Sequence, residues 1–546
     1  MIGDTIRFSV RTKIVLMGLL VLLGLIFRYP TVPHEIGWDS FGVHLLANSV
    51  SEFGYAKWWL HPTSIIGWYP YSGVPSAVPF ILSGISQCTG MDTEKVILLY
   101  SMILGIFCIF GAYLMAGAIW DNDIFKFLVA IVFSTAPGIL AKTTWTGHAR
   151  TLFIIALPLF IYLLLRTRTF KLRFSILTFV ILVLLLTTHH YIYFTIPIII
   201  GYLIIVMVYK SGNYVKSIRI PENFANFAVF MSFLIMFSIP YFKRSLWWTD
   251  PEMARAGVGA SIYAWISSVM LPGYVRYIGI LIIFIVGGYM YLLFKRNKKF
   301  GEWFLLIALA SLAPFLYIST YMKWFIAPFA SLLIGVALTN IAIAGMQKSP
   351  HIEKRKCVTA FVIILLLSII FSGYYQYLHF LNDPNPNKRY MEERTHVGGL
   401  WIKDNVDKNK NMIVGGAIAF RARVFSISEV PTLTGEAPAD LAYGFVDPNK
   451  LEVKQIYSPY SVNFYFNDPY NVINHKFTDT IVNHMMHDNI NNRKSMWIRP
   501  IFELNISYYV ENKDSSDPFT RSVEQIKNNL YDNGKIRVWS LKDSNY

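Results

Sequence analysis

A succession of long apolar runs restricts this chain more than any other feature. They fall at about 14–28, 95–118, 125–141, 151–165, 173–188, 190–209, 223–242, 274–294, 301–320, 324–345 and 356–375. A backbone inside a bilayer has no water to bond its N–H and C=O groups, so a crossing segment must satisfy them internally, as a helix does. A span takes roughly 20 apolar residues, and several runs fall short of it, so their ends are fixed only to within a few residues. Of the 546 residues, 54% are hydrophobic and 15% charged, which excludes an ordinary soluble protein. The Trp, Tyr and Phe content of 16% suits aromatic belts at the two interfaces. The reading is a polytopic α-helical membrane protein of about eleven spans.

Charge sets the sidedness. The net charge is +16, yet acidic and basic residues balance from Gln376 onward, so the excess belongs to the membrane part. With no basic soluble domain, nucleic-acid binding is excluded. The stretch 74–88 is short and interrupted by Pro75, Pro79 and Gly84. If it does not cross, the basic N-terminus falls on one side with Arg166/Arg168/Lys171/Arg173, Lys210/Lys216/Arg219, Lys295/Arg296/Lys298/Lys299 and Lys348/Lys354/Arg355/Lys356. That is the positive-inside pattern. It predicts a cytoplasmic N-terminus with 14–28 as an uncleaved signal anchor in a multi-pass cell-membrane protein, and 74–88 as an interfacial or re-entrant helix on the outer side. Cys88, Cys108 and Cys357 lie in or beside apolar runs at no metal-like spacing and are expected in the core.

This topology divides the chain into a membrane domain, 1–375, and an extracytoplasmic mixed α/β domain, 376–546. Outside lie the loop 29–94, the turns 142–150 and 187–190, the loop 243–273 and Tyr321 to Lys323. The outer carboxylates ahead of the second domain are then few: Glu35, Asp39, Glu52, Asp92, Glu94, Asp250 and Glu252. Asp39 precedes Ser40–Phe53, with Gly54 where a terminating glycine belongs, so it reads as a helix N-cap. It reads equally as a general base or metal ligand held at the bilayer surface, and the two are compatible. His148 can ligate a metal or move protons, and Arg150 can grip a phosphate with its planar fork. His189 and His190 occupy another outer turn. Lys243, Arg244 and Arg255 surround Trp247 and Trp248 together with Asp250 and Glu252, and Lys323 opens a span at the same face. A carboxylate, histidines, lysines and arginines at one interface suit the handling of an anionic lipid headgroup.

The order of these parts resembles the GT-C superfamily of integral-membrane glycosyltransferases, and most closely the catalytic subunit of oligosaccharyltransferase and its archaeal relatives. The residues that carry the resemblance are Trp38-Asp39-Ser40 after the first span, then Glu52-Phe53-Gly54-Tyr55, Trp58-Trp59 and Trp68-Tyr69-Pro70. Ala136-Pro137-Gly138 followed by Thr146-Gly147-His148-Ala149-Arg150 stands at the family's second landmark, and Thr249-Asp250-Pro251-Glu252 has the outline of a later loop motif. The opening of the soluble domain, 400–414, is similar to the family's helix-then-strand entry. The region matching the family's sequon-binding Trp-Trp-Asp-Tyr-Gly reads instead Gly415-Gly416-Ala417-Ile418-Ala419-Phe420-Arg421.

The resemblance implies a polyprenyl-phosphate or polyprenyl-pyrophosphate sugar donor and an extracytoplasmic protein, lipid or glycan acceptor. Asp39 would deprotonate or orient the acceptor, and His148, Arg150, Lys243, Arg244 and Lys323 would receive the lipid phosphate. Glu252 would support the acceptor, and the residues alone leave His189 and His190 either as interfacial residues at a helix end or as further acceptor support. A divalent cation, Mg or Mn, would sit on Asp39 and His148, unless the guanidinium of Arg150 does that electrostatic work. In the soluble domain, 506–510 and 535–541 read as strands, and Arg421, Arg423, Glu429 and Glu436 read as a solvated surface in preference to residues facing the active site. Asn505-Ile506-Ser507 is a lone sequon. Rival readings are an oligosaccharyltransferase proper acting on Asn, a polysaccharide polymerase or ligase, a lipid-linked glycan transporter and a non-catalytic scaffold.

Overall fold

The structure, a computed structural model, describes residues 6–54, 77–214, 222–243, 266–317, 319–348, 351–381, 390–416, 418–433, 452–453, 473–474, 506–515 and 528–541. In chain order the helices are α1 (Val10–Arg28), α2 (Trp38–Phe53), α3 (Ala77–Thr89), α4 (Thr93–Ile119), α5 (Asp123–Thr135), α6 (Pro137–Thr143), α7 (Ala149–Thr167), α8 (Leu172–Leu186) and α9 (Thr195–Tyr214). There follow α10 (Glu222–Lys243), α11 (Leu271–Ile278), α12 (Phe284–Phe294), α13 (Phe300–Leu312), α14 (Ser319–Phe325), α15 (Ala327–Lys348), α16 (His351–Leu381), α17 (Glu393–Asn405) and α18 (Ile418–Ser428).

Among the described residues, six helical segments are long and apolar enough to cross a membrane: Val10–Arg28, Thr93–Ile119, Ala149–Thr167, Tyr191–Tyr209, Phe300–Tyr317 and Ala327–Ala344. Two further candidates are broken, α5 with α6 by 60° and α11 with Ile280–Phe294 by 117°. Shorter apolar helices at Leu172–Leu186, Asn223–Ser238 and Thr359–Tyr374 occupy the remaining runs. The stretch read as non-crossing is α3, another short apolar helix, packed against α2 and α4.

Both breaks have a local cause. Pro137 lacks an N–H and stands in the first turn of α6, where it restarts a helix rather than continuing one. Gly279 holds φ +93°, a conformation that L side chains avoid. The broken ends then pack together. A Cβ on Gly138 would stand 2.8 Å from the Tyr277 carbonyl oxygen, and one on Gly279 would stand 3.2 Å from Cδ of Pro137.

A buried charge ties α1 to this region. Arg28, 1% exposed, donates from Nε to Thr143 Oγ1 at 2.7 Å, from Nη1 to the Gly24 carbonyl at 3.0 Å and from Nη2 to the Ser134 carbonyl at 3.1 Å. An arginine at such a depth is costly unless its donors are met. Cys108 is buried as expected, but Cys88 is exposed, because it lies on the outward face of short α3 rather than in the core.

Contacts sort the connections to two ends of the bundle. At one end the Phe8 N–H donates to Asp123 at 2.8 Å, Lys13 pairs with Asp123 at 2.9 Å, and Lys298 bonds Asn226 at 2.7 Å. At the same end the Arg168 guanidinium lies 4.6 Å from the Phe300 ring. At the other end the Ala77 N–H reaches the Thr187 carbonyl at 3.0 Å, and Trp145 Nε1 reaches the Glu94 carbonyl at 3.2 Å.

The C-terminal region docks on that second end. Apart from a separate antiparallel pair, β3 (Glu452–Val453) with β4 (Ile473–Asn474), its main sheet runs β2-β1-β5-β7-β6, with β1 (Asn411–Val414) parallel to β2 (Thr432–Leu433) and β5 (Ile506–Asn512). Antiparallel to β5 and β6 (Asn529–Asp532) lies β7 (Ile536–Ser540). The expected helix-then-strand entry is α17 followed by β1, and the two expected strands are β5 and β7. Ile402, Val406, Met412, Val424, Val510 and Val538 form the core of this unit. Its seam with the bundle is the Ile36–Tyr390 bridge, a 3.1 Å bond from the Met391 N–H to the Glu35 carbonyl, and a 3.0 Å bond from Asn48 Nδ2 to the Ser426 carbonyl. In β5 the sequon serine, Ser507, is buried, and Asn505 lies outside the described residues.

Candidate functional site

Gly37 determines where Asp39 stands. It is the N-cap of α2, at φ +99°, and a Cβ on it would lie 2.6 Å from Nε2 of His148. The helix therefore starts at Trp38, so Asp39 falls in its first turn rather than at its cap, and no side chain caps it. This corrects the N-cap reading: the carboxylate is not spent on the helix. The neighbouring side chain does the fastening. Ser40 Oγ accepts the Gly147 N–H at 2.6 Å, while the Ile36 N–H donates to the Trp145 carbonyl at 2.9 Å. Trp145 itself holds φ +40°, a strained conformation for a bulky residue and of the kind that gathers at functional sites.

Across this join, Asp39 Oδ2 meets Nδ1 of His148 at 3.0 Å and Nη2 of Arg150 at 3.2 Å. The imidazole approach is close but out of line for a straight hydrogen bond. Lys142 Nζ lies 3.2 Å from the other ring nitrogen, Nε2. An ammonium can only donate, so Nε2 accepts and the ring proton belongs on Nδ1, facing Asp39. Asp39 is locally open, its side chain 49% exposed, although protein surrounds it at longer range, whereas the His148 side chain is 8% exposed. The carboxylate thus meets solvent while its imidazole partner does not.

Desolvation raises the Asp39 carboxyl, but His148, Arg150 and Lys142 outweigh it and hold it well below the usual carboxylate range. Desolvation, and then Lys142, push His148 down to about 4. At neutral pH the arrangement is a carboxylate, a neutral imidazole and two permanent cations.

Lys323, predicted for this face, is close by. Lys323 is 7% exposed, with its ammonium 4.5 Å from the Tyr277 ring and 6.0 Å from that of Trp324. Lys142 lies 5.2 Å from the same Trp324 ring. The broken helices bring these groups together, since Tyr277 belongs to α11 and Lys142 to α6.

His189 begins the turn His190–Phe194 and accepts the Tyr191 N–H at 3.3 Å. For His190 and Lys243 the backbone alone is described, and Arg244 and Glu252 lie outside the described residues, as does Glu436. Arg421 and Arg423 are not on a solvated surface. They are 8% and 4% exposed, because α18 packs against α2, and the Arg423 guanidinium lies 5.3 Å from the Phe41 ring. Burial lowers Arg423 to about 10. Glu429 pairs with Lys403 at 2.6 Å.

The sequence reading missed Gly37, Ser40 and Lys142, although all three lie in or beside the quoted motifs. It also missed the one three-residue grouping with metal-ligand spacing among the described residues, His34, Glu94 and His396.

No protein-family model matches the chain, and neither does any curated protein. Its structure is similar to the apo oligosaccharyltransferase of Archaeoglobus fulgidus, with a TM-score of 0.58 and 10% identity over 92% of this chain and 70% of that one. The same enzyme in complex with zinc and sulfate aligns at 0.57, with 11% identity over 91% and 68% of the two chains. ArnT from Cupriavidus metallidurans bound to undecaprenyl phosphate aligns at 0.54, with 10% identity over 97% and 98%. These neighbours are GT-C glycosyltransferases, and this chain has the GT-C fold of a multi-pass membrane protein. At such identities the likeness is one of fold.

Proposed function

We propose that the chain is a membrane glycosyltransferase that moves a sugar or glycan from a polyprenyl-(pyro)phosphate carrier to an extracytoplasmic acceptor, with Asp39 in contact with that acceptor. The observation that carries this reading is the exposed Asp39 carboxylate, paired with His148 and Arg150, at the end of a GT-C bundle where Lys142 and Lys323 also lie. The basic connections at the opposite end of the bundle support placing the N-terminus in the cytoplasm. The solved neighbours bind undecaprenyl phosphate in one case and dolichol phosphate in another, which supports an anionic lipid partner.

The chemistry is substitution at the anomeric carbon. The acceptor's O–H or N–H donates to Asp39, and its lone pair attacks C1 of the sugar. The C1–O bond to the carrier breaks, and the carrier leaves as a phosphate anion beside Arg150, Lys142 and Lys323. The acceptor proton passes through Asp39, which is half exposed, to water. A carboxylate so strongly stabilised is a weak base and a good orienting group, so positioning and stabilisation of the leaving anion supply most of the acceleration.

A divalent cation at Asp39 and His148 does not fit the residues described. The pair offers few ligand atoms, Arg150 already stands 3.2 Å from Asp39 Oδ2, and Lys142 lies 3.2 Å from the far ring nitrogen of His148. We read Arg150 and Lys142 as taking the place of such an ion, and no step here uses one. The test is a transfer assay in membranes with extracted polyprenyl-linked sugars as donor and mass spectrometry of all glycosylated products. Wild type should form a product that Asp39→Ala, folded and inserted, does not. An unchanged product profile would return the chain to the transporter or scaffold readings.

A further inference from the structure

We propose that His34, Glu94 and His396 form a binding site for a divalent transition metal of the zinc class, at the seam between the membrane bundle and the C-terminal domain. One donor atom from each lies within 4.8 Å of the others. Nδ1 of His34 stands 3.0 Å from Glu94 Oε1, and Nε2 of His396 stands 3.3 Å from Glu94 Oε2. In a tetrahedral zinc site with bonds of about 2.0–2.1 Å, neighbouring donors are about 3.3–3.4 Å apart. Two imidazoles and a carboxylate leave a fourth position for water, and imidazole ligands select zinc-class ions over magnesium.

The surroundings favour a metal over a plain hydrogen-bond network. The two imidazole rings are stacked, with centroids 3.8 Å apart and planes at 18°, and one nitrogen of each faces the Glu94 carboxylate, so binding an ion would part the rings slightly. Without an ion, His34 would need a proton on both ring nitrogens, since Glu94 faces one and Glu393 the other. A divalent ion replaces the proton that faces Glu94 and accepts a lone pair from each ring.

The outer bonds are those that metal sites use. Glu393 Oε2 lies 3.0 Å from Nε2 of His34, the nitrogen that would not bind metal. A carboxylate there fixes the ring's tautomer and orientation. The Glu35 N–H donates to Glu94 Oε1 at 3.1 Å, and His34 and Glu94 are buried. The ligands come from the loop before α2, the start of α4 and α17 of the soluble domain. The ion therefore clips the two domains together three residues ahead of Gly37.

The test uses the full chain in detergent, without a histidine tag, stripped with chelator and titrated with Co2+ as a spectroscopic probe for zinc. Wild type should bind one equivalent with the strong visible absorption of a four-coordinate site, and added Zn2+ should abolish the signal. His34→Ala and His396→Ala should each lose it. Glu393→Gln, whose side chain is 66% exposed and so leaves the fold undisturbed, should weaken binding by about 10- to 100-fold. Absence of stoichiometric binding in wild type, or binding unchanged in all three variants, would overturn the proposal. None of these readouts depends on transfer activity.

Discussion

Gly37→Ala is the substitution that most sharply separates a built site from an incidental cluster. At φ +99° an alanine costs about 1–2 kcal/mol relative to glycine. Its Cβ would also lie 2.6 Å from His148 Nε2, roughly 1 Å inside comfortable contact. The imidazole cannot absorb this by swinging freely, because Lys142 holds the same nitrogen and Asp39 faces the other. The ring must shift away from Asp39 or carry the start of α2 with it. A displacement of that size at the reacting groups costs on the order of 100-fold in turnover. The control is Gly42→Ala on the same helix, where a Cβ meets nothing within 4 Å. Alanine there should stabilise by roughly 0.5–1 kcal/mol and leave transfer unchanged. Turnover of both variants in the transfer assay, beside their thermal unfolding in detergent, decides the matter. Wild-type turnover in Gly37→Ala, or equal losses in both, would refute the argument.

Further outcomes follow from the same geometry. Lys142→Met removes the donor that fixes the His148 tautomer and one leaving-group cation, so kcat should fall by about 10- to 100-fold with insertion unchanged; an unaltered kcat would remove Lys142 from the site. Thr143→Val leaves the buried Arg28 Nε without its 2.7 Å acceptor and should cost about 1–3 kcal/mol in thermal unfolding. A cost within error there would mean that the Arg28 network does not hold α1 to α6. After chelation, transfer should be the same whether or not Mg2+ or Mn2+ is restored, since Arg150 and Lys142 do the work of such an ion; recovery only with either metal would contradict that assignment.

Much of the fold was legible because a bilayer admits few solutions. Among the described residues every apolar run is largely helical, and Gly54 announced where α2 stops, whereas the breaks at Pro137 and Gly279 were not read from the sequence. The segments 506–510 and 535–541 were readable as strands, but their pairing was not. The site was legible in part, because Asp39, His148 and Arg150 lie in short quoted motifs whose chemistry is plain. Their grouping was not. Gly37 binds them through a backbone angle and a missing Cβ, neither of which composition reveals. Arg421 and Arg423 were misread because docking of one domain on another buries charges that local sequence places on a surface. The seam of His34, Glu94 and His396 escaped for the same reason: its ligands are distant in sequence and meet only through that docking.

The most direct test of the central claim is Asp39→Asn, which keeps the size and shape of the side chain and removes its charge. Product formation from a polyprenyl-linked donor should be measured by mass spectrometry, with equal amounts of folded, membrane-inserted protein. We expect transfer to fall by at least about 100-fold while the lipid donor still binds, because Arg150, Lys142 and Lys323 remain in place. Transfer at the wild-type rate would show that the Asp39 carboxylate takes no part in the reaction.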